Sequence, residues 1–564
     1  MHAQKIVVYQ ILPRLFGNIN QTKRYYGTIA QNGCGKFGNI NQKALASLHQ
    51  MGITHVWYTG IIEHASMNDY SAYDIKPDDA DVVKGRAGSP YAIKDYYDVD
   101  PDLAMDVKNR MAEFEALIRR THDAGMKVII DFVPNHVARG YNSDAKPNYV
   151  SDLGERDNKD KAFDVHNNFY YLPNQQFIVP PDYDPLGNEM ALNEDQVFEE
   201  YPAKATGNDV FKPTPSKDDW FETVKLNYGV DIMSERKTYF DSLPRTWKMM
   251  TDILEYWAAK GVDGFRCDMA EMVPVQFWNY AITRVKSNHP NLIFISEIYN
   301  PNAYQTYLTQ GKFDYLYDKV GLYDAVKRLI QNKGNTEDIT RCWKTEQKDI
   351  SDKMYRFMEN HDEQRISSAD FAGSPQQGYG AMVLSATLGS GPIMIYNGQE
   401  TGEQGLGVEG FGGEDGRTSI FDYWTMSSMQ GWINQYKYDG YALADDEKKV
   451  REFYAKLLTI CNKYESIYGP NFYDLQTANR ANTAYKNMYS FLRYTTNECL
   501  LICVNFSDTT YTGTVTLPAS FASQLSGLDN SSPIDLLSNQ KCSYRNGKAE
   551  VKVLPKQAQL IKIY

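Results

Sequence analysis

Residues 261 to 271 read GVDGFRCDMAE, an apolar, turn-bounded run that nonetheless carries an arginine and two aspartates. On a strand, successive side chains alternate faces, so Val262, Gly264, Arg266 and Asp268 share one side while Asp263, Phe265 and Cys267 share the other. Arg266 and Asp268 then point the same way. A guanidinium and a carboxylate turned into a barrel interior near the strand's carboxyl end are too costly to keep for packing alone. Taken by itself, the segment also fits a structural ion pair.

Four apolar segments end in carboxylate-bearing motifs: DFVPNH (131 to 136), GFRCD (264 to 268), FISE (294 to 297) and FMENHD (357 to 362). One such ending is unremarkable in an acidic protein. Four, two of them carrying Asn-His, point to a shared cavity. Carboxylates gathered around one cavity have their pKa values pushed apart, leaving one ionised as nucleophile and one protonated as acid. Glycoside hydrolysis needs that division, and a retaining enzyme sets the two carboxyl groups roughly 5 to 5.5 Å apart. Arg266 would hold Asp268 ionised.

The elements that must position these groups are legible as an alternation of strands and helices. Strands are expected at 6 to 12, 54 to 60, 127 to 133, 262 to 268, 292 to 297, 313 to 318, 355 to 360 and 392 to 398, with helical patterns between them. The helix before the third strand has apolar spacing near 3.6 and stops at Gly125. Eight such units close a parallel (β/α)8 TIM barrel, whose catalytic groups sit at the strands' carboxyl ends. From about 137 to 236 the alternation gives way to polar, aromatic, proline-bearing sequence such as NNFYYLPNQQFIVPPDYDPLG, expected to be a small domain inserted after strand three. Past the helix ending near 464, short runs such as MYSFLRY and CLLICVNF indicate a C-terminal antiparallel β-sandwich domain. The expected division is therefore barrel 1–136, insert 137–236, barrel 237–466 and β domain 467–564. GLGVEG (405 to 410) fits G-x-G-x-x-G, but FGGEDG follows it instead of a helix, so a mobile loop is expected there and no dinucleotide site.

Composition excludes other classes. With 564 residues the chain exceeds a single core, and its net charge of -12 leaves no basic face for nucleic acid. No apolar run approaches the roughly 18 to 20 residues of a membrane span, so a soluble chain is expected. Seven scattered cysteines without CxxC spacing indicate neither a disulfide framework nor a zinc site. His2-Ala3-Gln4 has the look of a trimmed export-signal stub, which points to the periplasm or secretion, with the cytoplasm as the alternative. Oligomeric state is not legible.

In order and separation, the four motifs resemble the conserved regions of the α-amylase family, glycoside hydrolase family 13. PYAIKDYYDVDP (90 to 101), GITHVWYTGI (52 to 61) and IYNGQETG (395 to 402) add to the likeness, which covers nearly the whole chain. The resemblance implies Asp268 as nucleophile, Glu297 as general acid/base and Asp362 as the carboxylate that stabilises an oxocarbenium-like transition state. It implies that Arg266 orients the nucleophile, that His136 and His361 hydrogen-bond the reacting sugar, and that Tyr91 stacks beneath it; packing roles are the alternative for the histidines and Tyr91. Asp131 is expected to be structural. The implied substrate is an α-glucan or maltooligosaccharide, cleaved at α-1,4 bonds with retention. Exo-acting α-glucosidase and transglycosylase activities remain alternatives, as does a non-catalytic sugar-binding relative, although such relatives need not keep all three carboxylates. No cofactor is implied for the chemistry. Asn135 matches a structural calcium ligand of many members, with candidate partners in SDLGERDNKD (151 to 160); otherwise it bonds loops at the barrel rim. The chain departs from the family twice: Glu271 and Met272 stand where many members carry Lys-His, and KLNYGVDIM (225 to 233) replaces a Leu-Pro-Asp-Leu-type segment.

Overall fold

A computed structural model describes residues 4–185, 198–518, 521 and 533–564. His2 and Ala3 of the suggested export stub, and Leu186 and Gly187 of the insert, lie outside the described residues.

All eight expected strands form: β1 (Val7–Ile11), β2 (His55–Tyr58), β3 (Lys127–Phe132), β4 (Gly264–Cys267), β5 (Ile293–Ser296), β6 (Tyr315–Tyr317), β7 (Met354–Tyr355) and β8 (Ile393–Tyr396). They lie in one parallel sheet ordered β7-β6-β5-β4-β3-β2-β1-β8. A parallel bridge from Arg356 to Ile393 joins β7 to β8 and closes the ring. β1, β2, β4 and β8 are buried at every position, as strands must be when helices cover one face and the barrel interior the other.

Arg110–Asp123 is the helix expected before β3. It buries Phe114, Leu117, Ile118 and Thr121, and the chain leaves it through Gly125 at φ 83°, a left-handed turn open to a residue without Cβ. β7 is shorter than expected. Beyond Arg356 the chain turns away, because Glu359 pairs with Arg365 at 3.0 Å and Asn360 Oδ1 accepts the backbone N–H groups of Asp362 and Glu363.

Among the described residues between β3 and β4 the chain forms short strand pairs: His136–Ala138 with Thr223–Lys225, Tyr171–Leu172 with Ala203–Lys204, and Val230–Asp231 with Lys237–Thr238. Buried polar groups do much of the ordering here. Arg139 donates to Glu200 (2.6 Å) and to the carbonyls of Phe221 (2.7 Å) and Thr223 (3.1 Å). Asp157 accepts from the N–H groups of Asn168 and Phe169 and pairs with Arg245 at 2.7 Å.

The C-terminal strands are β9 (Phe472–Asp474), β10 (Met488–Tyr494), β11 (Cys499–Asn505), β12 (Tyr511–Thr516), β13 (Ile534–Asp535), β14 (Tyr544–Arg545), β15 (Lys548–Val553) and β16 (Ala558–Lys562). They make a five-stranded sheet, β9-β10-β11-β16-β13, and a three-stranded sheet, β12-β15-β14, paired antiparallel. Alternation along β11 sorts its side chains: Leu500, Ile502 and Val504 join the large core shared with the barrel, while Cys499, Leu501 and Cys503 face the second sheet's Val515, Val551 and Val553. All seven cysteines are free thiols.

Candidate active site

The site is organised around Arg266 in β4. Parallel pairing sets Arg266 opposite Asp131 of β3 and Ile295 of β5. The guanidinium is buried, and its Nη1 donates to Asp268 Oδ1 at 2.7 Å and lies 3.5 Å from Asp131 Oδ1. Nη2 approaches Glu297 Oε1 at 2.8 Å and Asp362 Oδ2 at 4.0 Å, while Nε donates to the Tyr317 hydroxyl at 3.1 Å. Trp57, Tyr91 and Tyr317 ring the cation at 5.3 to 5.5 Å from its centre. One arginine thus faces four carboxylates, from the ends of β3, β4, β5 and the segment after β7.

Glu297 is held by two hydrogen-bond donors and one ion pair. Met269 N–H donates to Oε2 and the Tyr299 hydroxyl to Oε1, each at 2.7 Å, beside the Arg266 contact. Met269 has φ 42°, a left-handed conformation that a side-chain-bearing residue adopts only when its surroundings impose it. Here the constraint aims its N–H at Glu297. Asp268 Oδ2 is buried with no hydrogen-bond partner, so this oxygen is left free for an incoming atom.

Burial pushes the Asp268 carboxyl well above the usual carboxylate range and Glu297 adds to the push, while Arg266 pulls it back. Burial likewise takes Asp131 up to about 6. Asp362 rises to about 7 through burial and the charge of Glu297. Its side chain is 38 % exposed to the cleft, and water there moderates that rise. A single guanidinium cannot neutralise four carboxylates at close range, so the cluster retains a proton near neutral pH.

His361 stacks on Tyr91, hydrogen-bonds the Tyr91 hydroxyl through Nε2, and sets the same nitrogen 3.0 Å from Asp362. Its Nδ1 is 2.8 Å from the Gln10 amide nitrogen. Burial and Arg266 depress its pKa, which keeps the ring neutral. His136 is taken down to about 3 by burial and the charges of Lys225 and Lys84, and its ring packs on Trp220.

A cavity of about 350 Å³ opens over this cluster, lined in part by Tyr91, His136, Trp220, Asp268, Glu297 and Asp362. That volume suits a sugar unit. The structure therefore brings Tyr91, His136, Arg266, Asp268, Glu297, His361 and Asp362 into one place, with Asp131 behind them bonded to Trp57, Tyr91 and Arg266. Sequence reasoning did not find Tyr299, Trp220 or the Lys84–Glu222 pair (3.0 Å) at the cavity wall, nor Gln10 buried behind His361. Tyr299 alone left a signal, lying two residues beyond Glu297. Glu271 and Met272 line a separate cavity of about 180 Å³ with Lys225 and Arg236. Asn135 does not face open space: its side-chain oxygen accepts from the buried Lys225 ammonium, and its amide donates to the Gly207 carbonyl at 2.8 Å.

Comparison with known proteins supplies the family. The profile described as "Alpha amylase, catalytic domain" matches residues 10–418. The chain belongs to the α-amylase family. It is similar to an enzyme named α-amylase 2 of Dictyoglomus thermophilum, 21 % identical over 517 residues that span 90 % of this chain and 70 % of that one. It is also similar to neopullulanase 2 of Thermoactinomyces vulgaris, 20 % identical across 72 % of this chain and 57 % of the relative. Among solved structures, a noncanonic maltogenic α-amylase from Thermotoga neapolitana shares the fold with a TM-score of 0.61 and 20 % identity, covering 100 % of this chain and 99 % of that one. As a member of this family the protein is a glycoside hydrolase, and the family's chemistry requires no cofactor. No helix among the described residues is long and apolar enough to cross a membrane.

Proposed function

We propose that the protein is a retaining α-glucan hydrolase that cleaves α-1,4-glucosidic bonds in starch or maltooligosaccharides. In this reading Glu297 gives its proton to the glycosidic oxygen as Asp268 Oδ2 attacks the anomeric carbon, expelling the leaving sugar as an alcohol. Water then attacks the same carbon, loses its proton to Glu297 and frees Asp268. The Tyr299 hydroxyl rotates between donating to ionised Glu297 and accepting from the protonated acid, so both states keep a partner. Arg266 orients Asp268, Asp362 and the neutral histidines His136 and His361 bind the hydroxyls of the strained sugar, and Tyr91 supplies an apolar face beneath it.

The observation that carries this reading is the shared guanidinium, whose two terminal nitrogens hold Asp268 at 2.7 Å and Glu297 at 2.8 Å. That arrangement favours the short carboxyl separation of retention over the roughly 6.5 to 9.5 Å that an inverting enzyme leaves for water. All three reacting carboxylates are retained, which supports catalysis over sugar binding alone.

Reducing sugar should appear from soluble starch and maltotriose, with little from isomaltose. Early proton NMR should show the α-anomer, because two displacements at one carbon restore the starting configuration. Initial β-product would overturn the mechanism, and preference for isomaltose would overturn the linkage.

A further inference from the structure

We propose that the Lys225 ammonium is a built-in cation that takes the place of a divalent metal ion where the strand His136–Ala138 meets the strand Thr223–Lys225. Lys225 is 3 % exposed, and its ammonium donates to Asn135 Oδ1 and pairs with Asp209 Oδ1 at 2.8 Å. Antiparallel pairing sets Lys225 opposite His136, so the charge sits one strand from a cavity-lining residue. Asn135 Nδ2, 3.0 Å from His136 Nδ1, completes the connection.

The donor set does not fit calcium. Calcium takes roughly six to eight oxygens at 2.3 to 2.6 Å, whereas the side-chain oxygens of Asn135 and Asp209 both face one ammonium. A divalent ion on Asn135 would lie against a buried positive charge. Other carboxylates that a metal would need are engaged elsewhere: Asp157 is bonded to two backbone N–H groups and Arg245, and Asp152 pairs with Lys146 at 3.3 Å. The ammonium needs only a few acceptors and balances Asp209 charge for charge. Lys225 therefore ties residues 205 to 209 to the segment that follows β3, through its N–H to the Ala205 carbonyl and its side chain to Asp209 and Asn135.

The test uses the full chain, with calcium ion and EDTA as probes and melting temperature and elemental analysis as readouts. The wild type prepared without chelator should carry no stoichiometric calcium, and its melting temperature should be the same in EDTA and in millimolar calcium. Lys225→Ala should melt about 5 °C or more below wild type, since it strips the buried Asn135 oxygen of its donor and leaves the half-buried Asp209 only the looser Arg236 contact at 3.7 Å. Lys225→Arg, which keeps the charge, should recover part of that loss. One calcium per chain whose removal lowers the melting temperature would overturn the proposal, as would a Lys225→Ala variant melting like wild type. Should Lys225→Ala fail to fold, the wild-type calcium measurements and the Lys225→Arg melting curve still decide it.

Discussion

Asp268→Asn and Glu297→Gln each fold like the wild type and lose roughly four powers of ten in turnover of α-glucan, about 5.5 kcal/mol of transition-state stabilisation. Each substitution removes a bond-making or proton-moving step rather than a binding contact. Neither orphans its neighbours: Arg266 keeps Asp131 and one of the two reacting carboxylates, and an amide at 297 still accepts from Met269 N–H. Melting temperatures within a few degrees of wild type, measured beside kcat, separate lost chemistry from lost structure. Near-normal turnover in either variant would contradict the assignment.

Arg266→Met should be the most destabilising single change in the site, by about 3 to 5 kcal/mol at neutral pH, because it leaves Asp131, Asp268 and Glu297 buried without their shared cation. The sign of the pH dependence follows from raised carboxyl pKa values. Asp131, at about 6, and Asp362, at about 7, sit above an unfolded carboxylate near 3.9, so the folded state binds protons more tightly. Their contribution is fully present below the unfolded pKa and is lost as pH rises through about 6 to 7. Without Arg266 to pull them down, the carboxyl groups rise further. The gap in melting temperature between variant and wild type should therefore narrow at pH 5 and widen at pH 8. Arg266→Lys should keep a wild-type-like pH dependence while losing activity, since an ammonium cannot hold two carboxylates in fixed geometry. A gap that widens toward acid would contradict the account.

The barrel was legible because parallel strands buried on both faces read as unbroken apolar runs, and Arg266 stood out as charge inside such a run. The same rule overextended β7: FMEN is apolar enough for a strand, but the Glu359–Arg365 pair bends the chain away. The segment after β3 was legible only as an interruption. Its strands are two or three residues long and hang on buried polar groups such as Arg139 and Asp157, whose partners lie 61 and 88 residues away. Within the site, the carboxylates and histidines announced themselves through strand-end motifs. Gln10 and Lys225 did not, because the contacts that give them a role, with His361 and Asn135, span 351 and 90 residues. At GLGVEG, where the sequence leads one to expect a mobile loop, the chain is irregular, but Glu409 is buried and accepts from Ser419 N–H at 2.8 Å, a contact the local sequence does not announce.

The central claim, that Asp268 attacks the anomeric carbon, is tested most directly by trapping. An α-glucosyl fluoride needs no acid to expel its leaving group, whereas release of the enzyme-bound sugar needs Glu297 as base. Glu297→Gln incubated with this donor should gain the mass of one glycosyl unit, and peptide mass spectrometry should place it on Asp268. An adduct on Asp131 or Asp362, or turnover of the fluoride to β-glucose with no adduct at all, would contradict it.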